Sequence, residues 1–145
     1  MSVAVIIVNY ESDELLWKCL DALSNQSLNP QTVIVIDNHE EREALTEFKQ
    51  RFREVKFIST GANIGFAAAA NLGVSQAGDV EFIALLNPDA FPEKNWLQAL
   101  MDAAETHPNC GSFSSLMLKE NHQDVLDGCG DTLHFSGLPW RVGHD

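Results

Sequence analysis

Apolar residues in this chain fall into short uninterrupted runs that stop at polar positions, and between those runs they return every third or fourth residue. The most informative stretch is Gly78 to Leu100, GDVEFIALLNPDAFPEKNWLQAL. Phe82-Ile83-Ala84-Leu85-Leu86 is too short for a solvent-facing helix and lacks the alternation of a strand wetted on one side. It therefore predicts a strand covered on both faces. The run breaks at Asn87-Pro88-Asp89, where Pro88 biases Asn87 toward extended backbone, so the chain should leave the sheet before any helix begins. Trp96, Leu97 and Leu100 then carry a helical pattern, with Pro92 near its start and an end at about His107, before Pro108-Asn109.

The same alternation runs through the rest of the chain. Val3 to Val8 predicts a central first strand that stops at Asn9-Tyr10. Ser12 can cap the helix that follows, with Asp13 and Glu14 in its first turn and Leu15, Leu16, Cys19, Leu20 and Leu23 on one face. After a polar loop, Thr32 to Ile36 predicts a second strand ending in Asp37-Asn38. Leu45, Phe48 and Phe52 mark the apolar face of a second helix, opposite Glu43, Glu47, Lys49 and Arg51. Val55 to Ile58 is a short third strand. Gly61-Ala62-Asn63-Ile64-Gly65-Phe66, followed by an alanine run, Asn71 and Gly73, predicts a tight loop feeding a helix that packs closely on its neighbour. Gly111 to Leu118 is expected to be a fifth strand. The turn-rich segments beyond it, Asp127 to Asp131 and Ser136 to Pro139, carry no firm assignment.

Strands alternating with helices imply an α/β fold: three α/β/α layers around a mostly parallel central sheet with right-handed crossovers. Ligands of such sheets bind beyond the carboxyl ends of the strands. Asn9, Asp37 and Asp89, at the ends of strands one, two and four, are then expected to face one crevice.

Charge narrows the ligand. Twenty-one acidic residues against nine Lys and Arg give a net charge of -12, with no basic patch, so nucleic acid is not expected as a partner. An anionic substrate would meet the same repulsion unless a divalent cation or a helix N-terminus supplied local positive potential. The 145 residues are expected to form a single domain. The apolar run at the start lacks a basic flank and is too short for a signal peptide or membrane span. The expected location is the cytoplasm, at most peripheral to the inner face of the membrane. Cys19, Cys110 and Cys129 show no pairing pattern and read as buried or incidental thiols, and the five histidines show no metal-ligand spacing.

A dinucleotide-binding fold would require its glycine fingerprint straight after strand one, where this chain has Asn9-Tyr10-Glu11-Ser12. The phosphate-loop pattern GxxxxGK[ST] is also absent. Instead VAVIIVNYESDELLWKCLDAL, VIVIDN, TGANIGFAAAANLGV and FIALLNPDA together resemble the donor-binding part of family 2 glycosyltransferases of the GT-A type, in the rhamnosyltransferase-like branch. The resemblance covers nearly the whole chain, with four motifs in order. It implies transfer of a sugar from a nucleoside-diphosphate-sugar donor to a saccharide or lipid-linked acceptor in cell-surface polysaccharide synthesis.

By the same resemblance, Asn9 and Tyr10 line the nucleoside pocket and Asp37 holds the base or ribose. Asn63 and Gly65 form the loop passing the nucleotide, and Asn71 is the polar position of the next helix. Asn87-Pro88-Asp89 stands in the place of the family's Asp-x-Asp motif. Asp89 would thus bind a divalent cation, Mg²⁺ or Mn²⁺, bridging the two phosphates. Asn87 is a departure, since a neutral amide suits a sugar hydroxyl better than a cation. The resemblance also implies that the acceptor side and the general base lie beyond residue 145. Donor binding without turnover is therefore expected of this chain. Two alternatives stand beside this reading. One is a catalytically incomplete nucleotide-sugar-binding or interaction module. The other is a nucleotidyltransferase of related fold, which would need a basic residue near the phosphates early in the chain; Lys18, on a helix, fits that poorly.

Overall fold

In the computed structural model, residues 1–40, 44–119, 122–128, 131–133, 135–136 and 138–141 are described. β1 (Val3–Asn9), β2 (Thr32–Asp37), β3 (Val55–Ser59) and β4 (Phe82–Leu86) form one parallel sheet in the order β3-β2-β1-β4. Each β-branched run of the sequence became a strand, and the connecting helices are α1 (Asp13–Ser24), α2 (Ala44–Arg51) and α3 (Phe66–Ser75). α4 (Trp96–Thr106) follows β4. The chain divides into two compact units, Met1–Ala99 and Leu100–Asp145, with the boundary inside α4.

In the first unit the strand period of two sorts residues between two helical layers. Ala4, Ile6, Val8, Ile34 and Ile36 point to one face, where Ala69, Ala70 and Ala77 close over them. Val5, Ile7 and Val35 point to the other and are fully buried. Phe57 stands level with Val35 and meets Phe48 of α2 at 5.9 Å between ring centroids. Trp17 of α1 packs on Phe48 and Phe52 at 5.4 and 5.3 Å. α1 and α2 therefore cover one face and α3 the other, the three layers that the alternating pattern predicts.

The alanine run and Gly73 explain how closely α3 approaches. A Cβ added at Gly73 would lie 2.4 Å from Cγ2 of Ile6, a branched side chain fully buried in the sheet. Elsewhere in a helix, Gly to Ala gains roughly 0.5–1 kcal/mol. Here the clash reverses the sign, and Gly73→Ala is expected to cost about 1–3 kcal/mol through overpacking. Urea unfolding measures it; a stabilised variant would show that α3 can lift from β1 freely.

β4 departs from its expected double burial. It lies at the sheet edge, and Ile83 and Leu85 are 38% and 55% exposed. Both stand level with Ala4 and Ile6, on the α3 face, but α3 packs on β1 and β2. The crossover from β3 to β4 passes over the two intervening strands, so its helix shields those and leaves β4 open. A continuous apolar run cannot distinguish a strand covered by this chain from one that presents an apolar face.

In the second unit, β5 (Met117–Lys119) pairs antiparallel with β6 (His122–Gly128), and β7 (Asp131–Leu133) with β8 (Pro139–Arg141). The expected strand from Gly111 to Leu118 is corrected here: residues 111–116 adopt no regular element, and only its last two residues enter β5. Ser112, Ser114 and Ser115 dilute the apolar content of that stretch. The ladder with β6 is also irregular, with register shifts on both sides of Leu118. Cys129 lies outside the described residues, as do 41–43 of the acidic cluster that follows β2.

Candidate functional site

Four parallel strands bring their carboxyl ends to one margin of the sheet, and the polar residues that stop the apolar runs gather there. Asn9 and Asp37 are register partners and both are fully buried. Asn9 Nδ2 donates to Asp37 Oδ1 at 3.2 Å and to Asp13 Oδ1 at 3.1 Å, so one amide bridges two carboxylates. Asn9 Oδ1 is buried with no hydrogen-bond partner among the described residues. Buried polar atoms are rarely left in that condition. The amide cannot be turned to relieve it, because its oxygen would then face both carboxylates. This acceptor lies behind the surface of the margin, closed to solvent.

Asp13 is a site neighbour that the sequence suggested only as a favourable first-turn charge. Ser12, expected as a cap, occupies the N-cap position but makes no side-chain cap bond. Its hydroxyl donates to the Tyr10 carbonyl at 3.0 Å. The reason is the backbone of Glu11, which adopts a left-handed φ of 53° and turns Ser12 back on the strand end. Tyr10, 46% exposed, stands at the rim.

Asn38 organises the neighbouring loop. Its Nδ2 donates to Asn63 Oδ1 at 3.0 Å, and its own Oδ1 accepts from the Ile64 amide at 2.9 Å, while the Thr60 hydroxyl donates to the Ala62 carbonyl at 2.6 Å within the same loop. Asn63 Oδ1 also accepts the Gly65 amide at 2.9 Å. The Gly61 to Gly65 loop is thereby tied to the end of β2, with both glycines at positive φ. α3 starts at Gly65 without a side-chain cap, so its first-turn N–H groups lie open at this margin. Asn71 is exposed in the body of α3 and joins none of these bonds. Asn38 and Thr60 were overlooked in the sequence, where an Asn after a strand looks like any turn residue.

Asn87 and Asp89 emerge from β4, on the other side of β1. Leu86 is level with Ile7, so β4 leaves the sheet two residues before the end of β1. With strands ~4.8 Å apart, the tips of β2 and β4 stand roughly 10 Å from each other. Asn87 and Asp89 are both exposed. The Asn87 carbonyl accepts the Ala90 amide at 3.1 Å, which closes a turn, and Cys19 Sγ lies 3.7 Å from it. Lys18 on α1 places its ammonium 5.8 Å from the Phe91 ring centre, which brings one cation beside this acidic turn. Among the described residues no group of three or more His, Cys, Asp and Glu gathers to hold a metal.

Cys19 reports on the same turn. Burial, and secondarily the Asp89 carboxylate, push its thiol up to about 12. The folded protein therefore retains that proton at pH values where an unfolded chain releases it. Cys19 contributes stability below about pH 9 that is lost as pH rises toward 12. In a thiol-exchange assay at pH 8, exposed Cys110 is expected to react in the native state and Cys19 only after denaturation. Equal native rates would mean that α1 opens readily beneath the Asn87 turn.

Residues 4–124 match the profile described as Glycosyl transferase family 2. The chain is 28% identical over 123 residues to an N-acetylglucosaminyl-diphospho-decaprenol L-rhamnosyltransferase of Mycobacterium tuberculosis, an alignment that takes in 78% of this chain and 40% of that protein. It is 26% identical over 144 residues to Glycosyltransferase AglE of Haloferax volcanii, taking in 82% of this chain and 47% of the relative. The chain thus spans less than half the length of either. Among solved structures, S. aureus TarS 1-349 in complex with UDP-GlcNAc superimposes with a TM-score of 0.64 at 20% identity, over 83% of this chain and 39% of that one. A complex of the same TarS fragment with UDP gives the same TM-score. Among the described residues no helix is long and apolar enough to cross a membrane.

Proposed function

The chain belongs to glycosyl transferase family 2, and from that membership we propose that it binds the nucleoside-diphosphate-sugar donor of an enzyme that transfers the sugar to a saccharide or lipid-linked acceptor in cell-surface polysaccharide synthesis. The observation that carries this reading is the sheet margin, where the buried Asn9–Asp37 pair and the exposed Asn87–Asp89 turn flank the end of β1. A nucleoside suits the first of these: the Asp37 carboxylate can accept a ribose hydroxyl or a base N–H, Asn9 orients that carboxylate through its amide, and Tyr10 offers a ring. Asn63 and Gly65 shape the adjoining loop, and Asn71 lies further along α3.

A diphosphate suits the second. As the sugar departs, negative charge develops on the leaving nucleoside diphosphate, and a hard cation with oxygen ligands stabilises it. Asp89 supplies one exposed carboxylate, while Asn87 can orient a sugar hydroxyl. One carboxylate is not a complete protein cage, but a Mg²⁺ or Mn²⁺ ion carried on two phosphates needs only one or two carboxylates from the protein. The residues present therefore fit such an ion. The open N-terminus of α3 lies at this margin and reduces the repulsion that a net charge of -12 would exert on the donor.

A lipid-linked acceptor, of the kind named for the mycobacterial relative, would place the reaction at the inner face of the membrane. No residue of this chain is assigned as general base. The test is calorimetric titration with UDP and dTDP, with and without Mn²⁺. Metal-enhanced binding of either supports the reading; binding of neither removes it, along with the nucleotidyltransferase alternative.

A further inference from the structure

The proposed nucleoside pocket has one part that its acidic residues do not explain. Tyr10 is the only tyrosine in the chain, and its half-exposed ring meets the imidazole of His39 at 5.7 Å between centroids, tilted by 33°. His39 has an acceptor oxygen near each ring nitrogen, and the tautomer with hydrogen on Nε2 donates to Glu11. Its Nδ1 lies 3.2 Å from the Glu40 carbonyl, and its Nε2 lies 3.5 Å from Glu11 Oε1. Past the last register pair, Asn9 and Asp37, the Asn38 amide donates to the Asn9 carbonyl at 2.8 Å, which keeps the two strand ends together where Glu11 meets His39.

Glu11 adopts its left-handed backbone without being glycine, a conformation that costs of order 1–3 kcal/mol and persists only where the surroundings impose it. In this backbone the Glu11 carboxylate lies against the imidazole. The imidazole in turn limits the tilt of Tyr10, which sits directly after Asn9, the amide bonded to Asp37.

We propose that His39, latched by Glu11, is a positioning residue for the nucleobase, because it fixes the plane in which Tyr10 presents its ring beside Asp37. The inference rests on the nucleoside-diphosphate reading above. A loose tyrosine would lose side-chain freedom each time a base stacked on it, whereas a ring already held against His39 meets the base pre-organised. Aromatic contacts of this size correspond to roughly two- to tenfold in affinity.

UDP and inorganic pyrophosphate, each with Mn²⁺, are titrated into the wild type and into His39→Ala, His39→Phe and Glu11→Ala. His39→Ala is expected to weaken UDP about fivefold while leaving pyrophosphate unchanged, because pyrophosphate has no base to stack. His39→Phe, which keeps a ring against Tyr10, restores UDP affinity to within about twofold. Glu11→Ala repeats the His39→Ala pattern in weaker form and does not depend on the histidine variants folding. The upfield ring-current shift of the uracil protons on binding shrinks in His39→Ala. Equal UDP affinity in wild type and both alanine variants overturns the proposal and leaves donor binding intact, as does an equal loss for UDP and pyrophosphate. Failure of the wild type to bind UDP overturns the donor reading and this inference together.

Discussion

Asp89→Ala is expected to weaken Mn²⁺-dependent UDP binding by ten- to a hundredfold and to leave thermal stability nearly unchanged. The binding loss follows from the role proposed for its carboxylate: groups one shell removed from a metal already cost 10–100-fold when lost, and a direct ligand should cost at least as much. The unchanged stability follows from its exposure, since surface substitutions away from special features stay within about 0.5 kcal/mol. The two variants should converge when UDP is titrated without metal. A second readout comes from Cys19, whose thiol is held up by burial first and by Asp89 second. In the variant its titration should move downward but remain well above that of a free thiol. Equal UDP affinity with Mn²⁺ present would remove Asp89 from the cation site.

Asn9→Ala should give the largest stability loss of any single change at this margin. Its amide makes two hydrogen bonds to carboxylates, one wholly buried and one part-buried, and each bond to a charged group is worth about 1.5–3 kcal/mol. Alanine removes at once the donor that each of these carboxylates receives from the amide. The expected loss is of order 3–5 kcal/mol, a substantial part of the 5–15 kcal/mol typical of a domain. Urea unfolding measures it, and UDP affinity should fall in parallel because Asp37 loses its orientation. A loss below about 1 kcal/mol would show that the carboxylates find other donors and that the amide bridge is incidental.

These two expectations differ in how far the sequence alone could reach them. Asp89 was visible as a carboxylate placed by Pro88 just beyond an apolar run, a local pattern that needs no tertiary knowledge. Asn9 was visible as a strand terminus, but its bridging of Asp13 and Asp37 was not. That bond depends on the register between β1 and β2, which sets residues 28 apart in sequence side by side. Asn38 and His39 were hidden for the same reason, since their partners Asn63 and Glu11 lie in other loops and no spacing rule links them.

The order of strands and helices, the parallel sheet and the margin on which polar residues collect were all determined by the sequence itself, because short apolar runs and helical periodicity are local consequences of side-chain burial and backbone geometry. Only the tertiary structure decided the rest. It left Ile83 and Leu85 open on β4, drew α3 down onto Ile6 at Gly73, and gave residues 111–116 no ladder. It also left the Asn9 oxygen without a donor among the described residues. Each of these depends on which surfaces meet, and hydrophobicity along a chain records that a residue seeks cover without recording what will cover it.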